Sequence, residues 1–514
     1  MGYAVLGCWL LLAALVVATW DRIAADRRWR GFVLLLTLVF SLVHQLVFAT
    51  VTEAALVTFR YAQNIADGNG PVFNPGDRAE GYANFLWLVA VSLPKAAFGA
   101  DIRTSAIVLG VGSTFGCVLL AYFLVNRVVR LALPEGGEPR PAIGVAAAVL
   151  TAGASGLAVY GPSGTETPLF ALLLLAIAYA MAASRPVVAG VLVAGAVMTR
   201  PEGVVPAVVA GIGLVVAAAR GRHTWWAPVG YGLGALVFLV PWTAWRVTFY
   251  HHLLPGRALR PPGPDWSYLA GFSLAHLGFL AAGLIAAGAL AVRRTPGRAA
   301  AARSAVWLLL ALAAGLTVFV AGLDRDPGPS WRLLAPVPPL LAAAAAGAYG
   351  VLKAANPSPR PRTVSRLVPV AAAGLTGFAV LASLFDPGLL AEVRAGRTHS
   401  TQLAEVGEWL GGYLPPGSVV SAAEPGAIAS RAGSQLLVVG SDVGPRRATV
   451  AVPDENGYAE QQDCASGPDS APAATFRRTG TPFWISVFPR ADEASRLIDD
   501  LDRAPAFHYV SCPS

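Results

Sequence analysis

Charged side chains are scarce in this sequence. Only 13% of its 514 residues are Asp, Glu, Lys or Arg, whereas a soluble globular domain has about 25%. Hydrophobic residues make up 55% of the chain. Apolar runs recur from residue 3 to residue 385, and each is long enough, or nearly so, to cross a hydrocarbon core of about 30 Å. The sequence therefore predicts a polytopic membrane protein rather than a soluble enzyme.

Several widespread functional motifs are also missing. The sequence has no P-loop, no dinucleotide fingerprint, no metal-ligand spacing and no long internal repeat. His251 and His252 are adjacent, but no third ligand is spaced near them, so we predict no metal site. The net charge of +8 does not require nucleic acid, because excess Lys and Arg in a membrane protein usually lies in cytoplasmic loops.

Cysteine is rare, with four residues in the chain. Cys8 and Cys117 lie in predicted spans, where a thiol behaves as a small hydrophobe. Cys464 and Cys512 lie in the polar C-terminal region, and an oxidising compartment would let them pair. We predict that disulfide, with two unpaired thiols as the alternative.

The distribution of basic residues selects a topology. The doubtful segment is 82–99, which is apolar but interrupted by Pro94 and Lys95. If it lies in the outer interface, the inner loops carry 18 Lys and Arg and the longer outer loops carry 10, as the positive-inside rule requires. No basic residue precedes the first span and four Arg follow it, so we expect a retained helix with its N-terminus outside. The twelve predicted spans are 3–20, 31–50, 104–124, 142–160, 168–183, 186–199, 203–219, 226–245, 268–291, 303–322, 333–353 and 367–385.

The composition becomes polar after about residue 386. Helix TQLAEVGEWLGGYL is followed by strands VVSAA, QLLVV and FWISVF, by helix DEASRLIDDLD and by strand FHYVS. This alternation predicts a small α/β domain over 386–514, and twelve spans that start outside also place it outside the cytoplasm. Residues 1–385 form the predicted transmembrane domain, with 51–103 as its longest outer loop.

Polar side chains are concentrated in the predicted outer loops, whereas the inner loops hold mostly Arg with Ala, Gly and Pro. A transporter would need polar groups near the middle of the bilayer, and there the spans offer little beyond His44 and Gln45. The asymmetry favours a reaction at the outer interface with a lipid-borne substrate. Arg guanidinium groups match the geometry of a lipid phosphate, and Glu53, just after the second span, is placed to act as a general base.

The first outer loop, FRYAQNIADGNGPVFNPGDRAEGYANFLW (59–87), is similar to that of integral-membrane glycosyltransferases of the GT-C type. The group includes the terminal β-(1→2) arabinofuranosyltransferases of actinobacterial arabinan. The resemblance extends to about residue 430. Further similar blocks follow in the family's order: SGTETPLFALLLL (163–175), MTRPEG (198–203), PWTAWRVTFYHHLLPGRALR (241–260), AGLDRDPGPSWRLLAP (321–336) and EWLGGYLPPGSVVSAAEPGAIA (408–429).

The resemblance implies an inverting glycosyltransferase of the cell membrane. Its donor would be a polyprenyl-phosphate sugar, for which the family suggests decaprenyl-phosphate arabinofuranose, and its acceptor a cell-envelope glycan such as arabinan. The first outer loop, 51–103, would form part of the active site, with Glu53 as the catalytic base and its short helices lying along the membrane. The substrate-binding residues expected from the outer loops and the family blocks are Arg60, Tyr61, Asn64, Glu80, Asn84, Glu166, Arg200, Glu202, Arg246, Arg257, Arg260, Asp324 and Arg332.

The chain also departs from the family pattern. The family's Asp-Asp pair falls on Glu53 and Ala54, and a carboxylate displaced by about 1 Å can lower a rate by about a hundredfold. The Leu-Leu-Pro-Asn-Thr block has become 253–257, LLPGR. The alternative function is therefore a homologue that has lost catalysis and binds lipid-linked sugar or envelope partners.

Each candidate side chain has a structural alternative. Arg200 and Glu202 flank Pro201 and are able to pair with each other. Glu80 and Asn84 precede the interfacial helix, where they would act as caps. Asn74 begins a predicted turn. An aromatic belt at the headgroup level is the structural alternative for four tryptophans, Trp87, Trp242, Trp245 and Trp331.

Overall fold

Runs of Leu, Val, Ala and Gly form the long helices that dominate the structure. It is a computed structural model, and it describes residues 2–76, 78–135, 137, 140–251, 266–292, 299–322, 331–355, 367–414, 416, 418–422, 424–433, 435–440 and the short strands beyond them. Caps and prolines set several helix starts. Asp26 accepts a hydrogen bond from the backbone N–H of Arg28 at 2.8 Å, and Pro186 and Pro425 occupy first-turn positions.

The described chain forms two units. The membrane unit comprises Met1–Thr50, Ala83–Trp87 and Thr104–Val393, and the loop–sheet unit comprises Val51–Tyr82, Leu88–Arg103 and Arg394–Ser514. The helices are α1 (Gly2–Ala18), α2 (Trp20–Ala25), α3 (Arg27–Val47), α4 (Glu53–Ala66), α5 (Phe85–Phe98), α6 (Ile102–Ala132), α7 (Ala142–Ala152), α8 (Ser155–Tyr160), α9 (Thr167–Ala182), α10 (Pro186–Thr199), α11 (Val204–Ala219), α12 (Trp226–Tyr250), α13 (Trp266–Ala275), α14 (Leu277–Val292), α15 (Ala300–Ala321), α16 (Val337–Ala355), α17 (Leu367–Leu384), α18 (Pro387–Tyr413) and α19 (Pro425–Ala432), with 3₁₀ turns at Pro201–Gly203 and Arg332–Leu334.

The chain is a multi-pass membrane protein. Seven described helical segments are long and apolar enough to cross a bilayer: Arg27–Val47, Ile102–Ala132, Pro201–Ala219, Trp226–Tyr250, Ala300–Ala321, Arg332–Ala354 and Leu367–Leu384. The pair α13 and α14 meets the same test together but bends by 84° at its break. Helices also lie at the other predicted spans, but those at Gly2–Ala18, Thr167–Ala182 and Pro186–Thr199 are shorter, and 142–160 divides into α7 and α8. The count of twelve spans therefore stays a prediction.

Small residues bring the helices of the membrane unit into close contact. A Cβ at Gly190 of α10 would collide with the carbonyl oxygen of Tyr231 on α12, and a Cβ at Gly234 of α12 would collide with the carbonyl of Val187 on α10. This reciprocal arrangement is typical of membrane helices, whose association depends on backbone proximity rather than on a hydrophobic driving force. Helix α7 is buried along its whole length.

The loop–sheet unit contains a mixed β-sheet. The described strands are β1 (Val419–Ala422), β2 (Leu437–Gly440), β3 (Val452–Pro453), β4 (Ala459–Glu460), β5 (Ala474–Arg478), β6 (Ile485–Phe488) and β7 (Phe507–Val510). Five of them form one sheet in the order β2-β1-β6-β5-β7, with β1 and β2 parallel and the other pairs antiparallel. Strands β1, β2, β6 and β7 lie at predicted positions, whereas β5 was not predicted. The predicted helix at 492–502 lies outside the described residues.

Candidate active site

The predicted base, Glu53, is the first residue of α4 and lies against the start of α19. Its Oε1 accepts a hydrogen bond from the backbone N–H of Gly426 at 2.5 Å, and its Oε2 accepts one from Ala427 at 2.9 Å. The first N–H groups of a helix have no partner within the helix, and its N-terminus favours an anion. The Glu53 carboxylate thus caps the first turn of α19.

Burial and backbone contacts have opposite effects on the Glu53 carboxyl. Burial raises its pKa to about 7, and the negative charge of Glu424 acts in the same direction. The hydrogen bonds from Gly426 and Ala427 oppose that rise because they favour the charged form. A carboxyl group with a pKa near neutrality is suited to general-base chemistry.

Arg60 contacts the other end of α19. Its guanidinium Nη1 donates a hydrogen bond to the carbonyl oxygen of Gly433 at 2.9 Å, just beyond the last residue of α19, and a longer one to Ala429. Its Nε also donates to the carbonyl of Phe73 at 3.0 Å. A cation at the C-terminus of a helix complements the helix dipole. Glu53 and Arg60, two turns apart on α4, therefore hold α19 at both ends.

Tyr61 and Asn64 stabilise the loop that follows α4. The Tyr61 hydroxyl donates to the carbonyl of Ala79 and accepts from the N–H of Gly81, both at 2.8 Å. The Asn64 amide donates to the carbonyls of Val72 and Phe73 at 2.8 and 2.9 Å. Both side chains were predicted to bind substrate, and in the structure they hold the backbone of Val72, Phe73, Ala79 and Gly81 against α4.

Asn74 makes a contact that the sequence did not reveal. Its side-chain amide donates to the carbonyl of Val438 at 2.9 Å, and its Oδ1 accepts from the Val438 N–H at 3.1 Å. Val438 lies in β2, at the edge of the sheet. The Asn74 amide thus pairs with edge-strand groups as a neighbouring strand would, and so protects them from unwanted pairing. The predicted turn does not indicate this role, because the partner is hundreds of residues away.

In the membrane unit, four predicted residues form a charged cluster in which Glu166, Arg200 and Glu202 are buried and Arg332 is half-buried. Arg200 and Glu202 pair through Nη2 and Oε1 at 3.1 Å, and both are almost completely buried. Arg200 also donates to the carbonyl of Arg332 at 3.5 Å, and the charges of Glu166 and Arg332 act on it. The ring of Phe170 lies 5.1 Å from the Arg200 guanidinium carbon, within the range of a cation–π contact.

Glu166 connects this charged cluster to the start of α5. Its Oε2 accepts a hydrogen bond from the Asn84 amide at 3.1 Å. Nearby, the indole N–H of Trp87 donates to the carbonyl of Gly164 at 2.9 Å. Asn84 and Glu166 were predicted to belong to one site, and the structure places them in contact even though they are 82 residues apart.

Phe85, the residue after Asn84, packs against aromatic rings of α12. The ring of Phe85 lies 6.0 Å from that of Trp242 and 5.2 Å from that of Trp245, measured between centroids. The Arg246 guanidinium carbon lies 5.3 Å from the centroid of Trp242. The membrane unit therefore combines buried charges, amide groups and aromatic faces, which are the components of a site for a polar ligand.

Two of the remaining predicted residues are described by the structure, and the other five are not. Glu80 is half-buried in the extended segment before α5, and Arg246 is buried on α12. Among the described residues, no group of three or more His, Cys, Asp or Glu side chains could hold a metal ion. Arg257, Arg260, Asp324 and the predicted disulfide partners Cys464 and Cys512 lie outside the described residues.

The fold is similar to that of solved membrane glycosyltransferases of the GT-C type. ArnT from Cupriavidus metallidurans, bound to undecaprenyl phosphate, aligns with 90% of this chain and 98% of its own at a TM-score of 0.57 and 14% identity. The oligosaccharyltransferase of Archaeoglobus fulgidus in its apo form aligns with 76% of this chain at a TM-score of 0.52 and 11% identity, and the match spans 58% of that longer protein. No protein-family model and no curated protein sequence matches the chain.

Proposed function

We propose that the chain is a membrane glycosyltransferase that takes its sugar from a polyprenyl-phosphate donor and transfers it to a glycan of the cell envelope. The observation that carries this proposal is the fold similarity over 90% of the chain to ArnT, whose structure contains undecaprenyl phosphate. The charged cluster of the membrane unit supports it, because buried ionisable groups are costly and tend to mark functional sites.

In the proposed reaction, the Glu53 carboxylate takes the proton of an acceptor hydroxyl. The hydroxyl oxygen attacks the anomeric carbon from the face opposite the phosphate, the bond between that carbon and the phosphate oxygen breaks, and the lipid phosphate leaves with the electron pair. The new glycosidic bond therefore has inverted configuration. We assign phosphate binding to Arg246, Arg257, Arg260 and Arg332, because guanidinium groups stabilise the charge that develops on the leaving phosphate.

The contacts of the charged cluster suggest how the sugar is bound. Glu166 and Asn84 present a carboxylate and an amide, which are able to accept and donate hydrogen bonds to sugar hydroxyls. The Arg200–Glu202 pair, buried beside Glu166, would keep that carboxylate in place. From the sequence resemblance we infer that the donor is decaprenyl-phosphate arabinofuranose and that the acceptor is an arabinan. The transfer would take place outside the cytoplasm.

One observation favours a second candidate function. Both oxygens of Glu53 already accept hydrogen bonds from α19, as expected of a structural carboxylate. A homologue that retains the fold but only binds lipid-linked sugar is therefore the alternative to the enzyme.

Sugar transfer in proteoliposomes tests the proposal. Full-length protein would be incubated with synthetic polyprenyl-phosphate sugars, including the arabinofuranose, and a short arabinan, beside the variants Glu53→Gln and Glu408→Gln. Glu408 is an exposed carboxylate of the same unit, so its replacement is the matched control. We expect transfer by the wild type and the control, and a loss of about a hundredfold or more in Glu53→Gln, the usual contribution of a general base. Binding of donor without transfer by any form would favour the alternative.

A further inference from the structure

The contact between Glu53 and α19 is unusually close, and a glycine makes it possible. A Cβ added at Gly426 would lie 2.7 Å from Glu53 Oε1 and 2.7 Å from the backbone nitrogen of Val57. Both distances are shorter than real Cβ contacts allow, so any other residue at 426 would move the carboxylate or the helix. Pro425, in the first turn of α19, fixes where the helix begins.

Packing contacts fix the position of helix α19, so the helix is able to hold the Glu53 carboxylate in one place. Arg60 binds its C-terminal carbonyls, as described above. On α18, Gly407 approaches the carbonyl of Ile428 and Gly411 approaches that of Ala432, with no room for a Cβ at either glycine. Helix α19 is therefore packed against α4 and against the part of α18 that belongs to the same unit, and the two N–H groups at its start have a defined position.

We propose that Gly426 and the first turn of α19 are a positioning element for the catalytic carboxylate. This inference rests on the proposed function, because it assumes that Glu53 is the base. The N–H groups of Gly426 and Ala427 fix the orientation of Glu53 and stabilise its charged form, while each carboxylate oxygen keeps a second lone pair for the acceptor hydroxyl. The C-terminal region then contributes to catalysis without supplying a reacting group.

The positioning role predicts a particular kinetic change in Gly426→Ala. Displacement of the carboxylate by about 1 Å lowers kcat by about a hundredfold, with little change in the donor KM. Loss of the N–H contact also destabilises the charged carboxylate, so the acidic limb of the kcat/KM pH profile moves to higher pH. Among the described residues, the charged group that acts electrostatically on Glu53 is Glu424, which the substitution leaves in place.

Gly412→Ala is the matched control. Gly412 lies in α18 beside Gly411, and a Cβ at Gly412 would meet nothing within 4 Å. A second variant, Ala427→Pro, removes the N–H that reaches Oε2 while Pro remains tolerated in a first helical turn. Thermal denaturation of all variants identifies any that fail to fold.

The expected result is a folded Gly426→Ala or Ala427→Pro protein with lower kcat and a shifted acidic limb, beside an unchanged Gly412→Ala. If folded variants keep the wild-type kcat and pH profile, the positioning role is overturned while the transferase stands. If the wild type transfers no sugar from any lipid-phosphate donor, the proposed function itself fails, and the catalytic role of α19 fails with it.

Discussion

Glu53 combines two properties that usually exclude each other. It is a helix cap whose two oxygens are occupied by backbone N–H groups, and it is a carboxyl group whose pKa burial raises to about 7. A capping carboxylate is normally ionised, whereas a buried carboxylic acid is normally neutral. The Glu53 carboxyl therefore changes between its neutral and ionised forms near neutral pH. The residue is therefore where the pH dependence of the protein is best examined.

The raised pKa predicts how stability depends on pH. The pKa of Glu53 is about 7 in the folded state and 4.5 in the unfolded chain, so the folded state binds the proton more tightly. Its contribution to the free energy of unfolding is therefore most favourable at low pH and is lost as pH rises from 4.5 towards 7. We expect the Tm of the wild type, relative to Glu53→Gln, to fall over that range in thermal denaturation. A difference that is constant or grows with pH would contradict this assignment.

The Arg200–Glu202 pair predicts a large stability effect. Removal of one partner leaves the other charge buried without its counter-ion, which costs about 3 kcal/mol or more. We expect Glu202→Gln to lower the stability of the membrane unit by about this amount in thermal or denaturant unfolding. The control is Glu408→Gln, which breaks the exposed pair with Arg431 and should change stability by less than about 1 kcal/mol. Equal effects of the two variants would show that burial of the first pair is incomplete.

At the scale of elements, α4 organises the loop–sheet unit. Glu53 and Arg60 hold α19, while Tyr61 and Asn64 hold the loop after α4, whose Asn74 covers the edge of β2. These contacts join residues near position 60 to residues near position 430. The first outer loop and the start of the C-terminal region therefore fold together, although the sequence predicted them as parts of separate domains.

Asn74→Ala tests this connection. The substitution removes both hydrogen bonds to Val438, leaving a buried N–H and carbonyl at the sheet edge without their partner, which costs about 1 to 3 kcal/mol. We expect lower thermal stability and faster amide hydrogen exchange at Val438. Asn69→Ala is the control, because Asn69 is exposed on the same loop and its side-chain amide donates to Asn64 of α4 rather than to the sheet. Unchanged exchange at Val438 in Asn74→Ala would contradict the edge-covering role.

At the scale of the whole molecule, hydrophobic runs predicted where helices form, because burying apolar residues in a bilayer depends on composition alone. They did not predict how helices break. The bend of 84° between α13 and α14 falls at His276 within an otherwise apolar run, and Gly153, where 142–160 divides, packs against Thr376 of α17.

The candidate site was also only partly predictable. The resemblance placed Asn84, Glu166, Arg200, Glu202 and Arg332 in one site, and the structure brings these five residues together in the membrane unit. The resemblance could not show that Glu53 and Arg60 bind α19 and the residues after it. Their partners are mainly backbone groups, which any sequence supplies, and belong to Gly426, Ala427, Gly433 and Leu436. The motif AAEPGAIA offered one signal, since a glycine directly after a helix-starting proline indicates close backbone approach.

The measurement that tests the account most directly follows the anomeric carbon of the donor. A polyprenyl-phosphate sugar labelled with ¹³C at that carbon would be incubated with proteoliposomes of wild type, Glu53→Gln and Gly426→Ala, and the product examined by NMR. We expect a new glycosidic bond of inverted configuration with wild type, equimolar release of polyprenyl phosphate, and large losses in both variants. A product of retained configuration, or a reaction that Glu53→Gln leaves unchanged, would contradict this expectation.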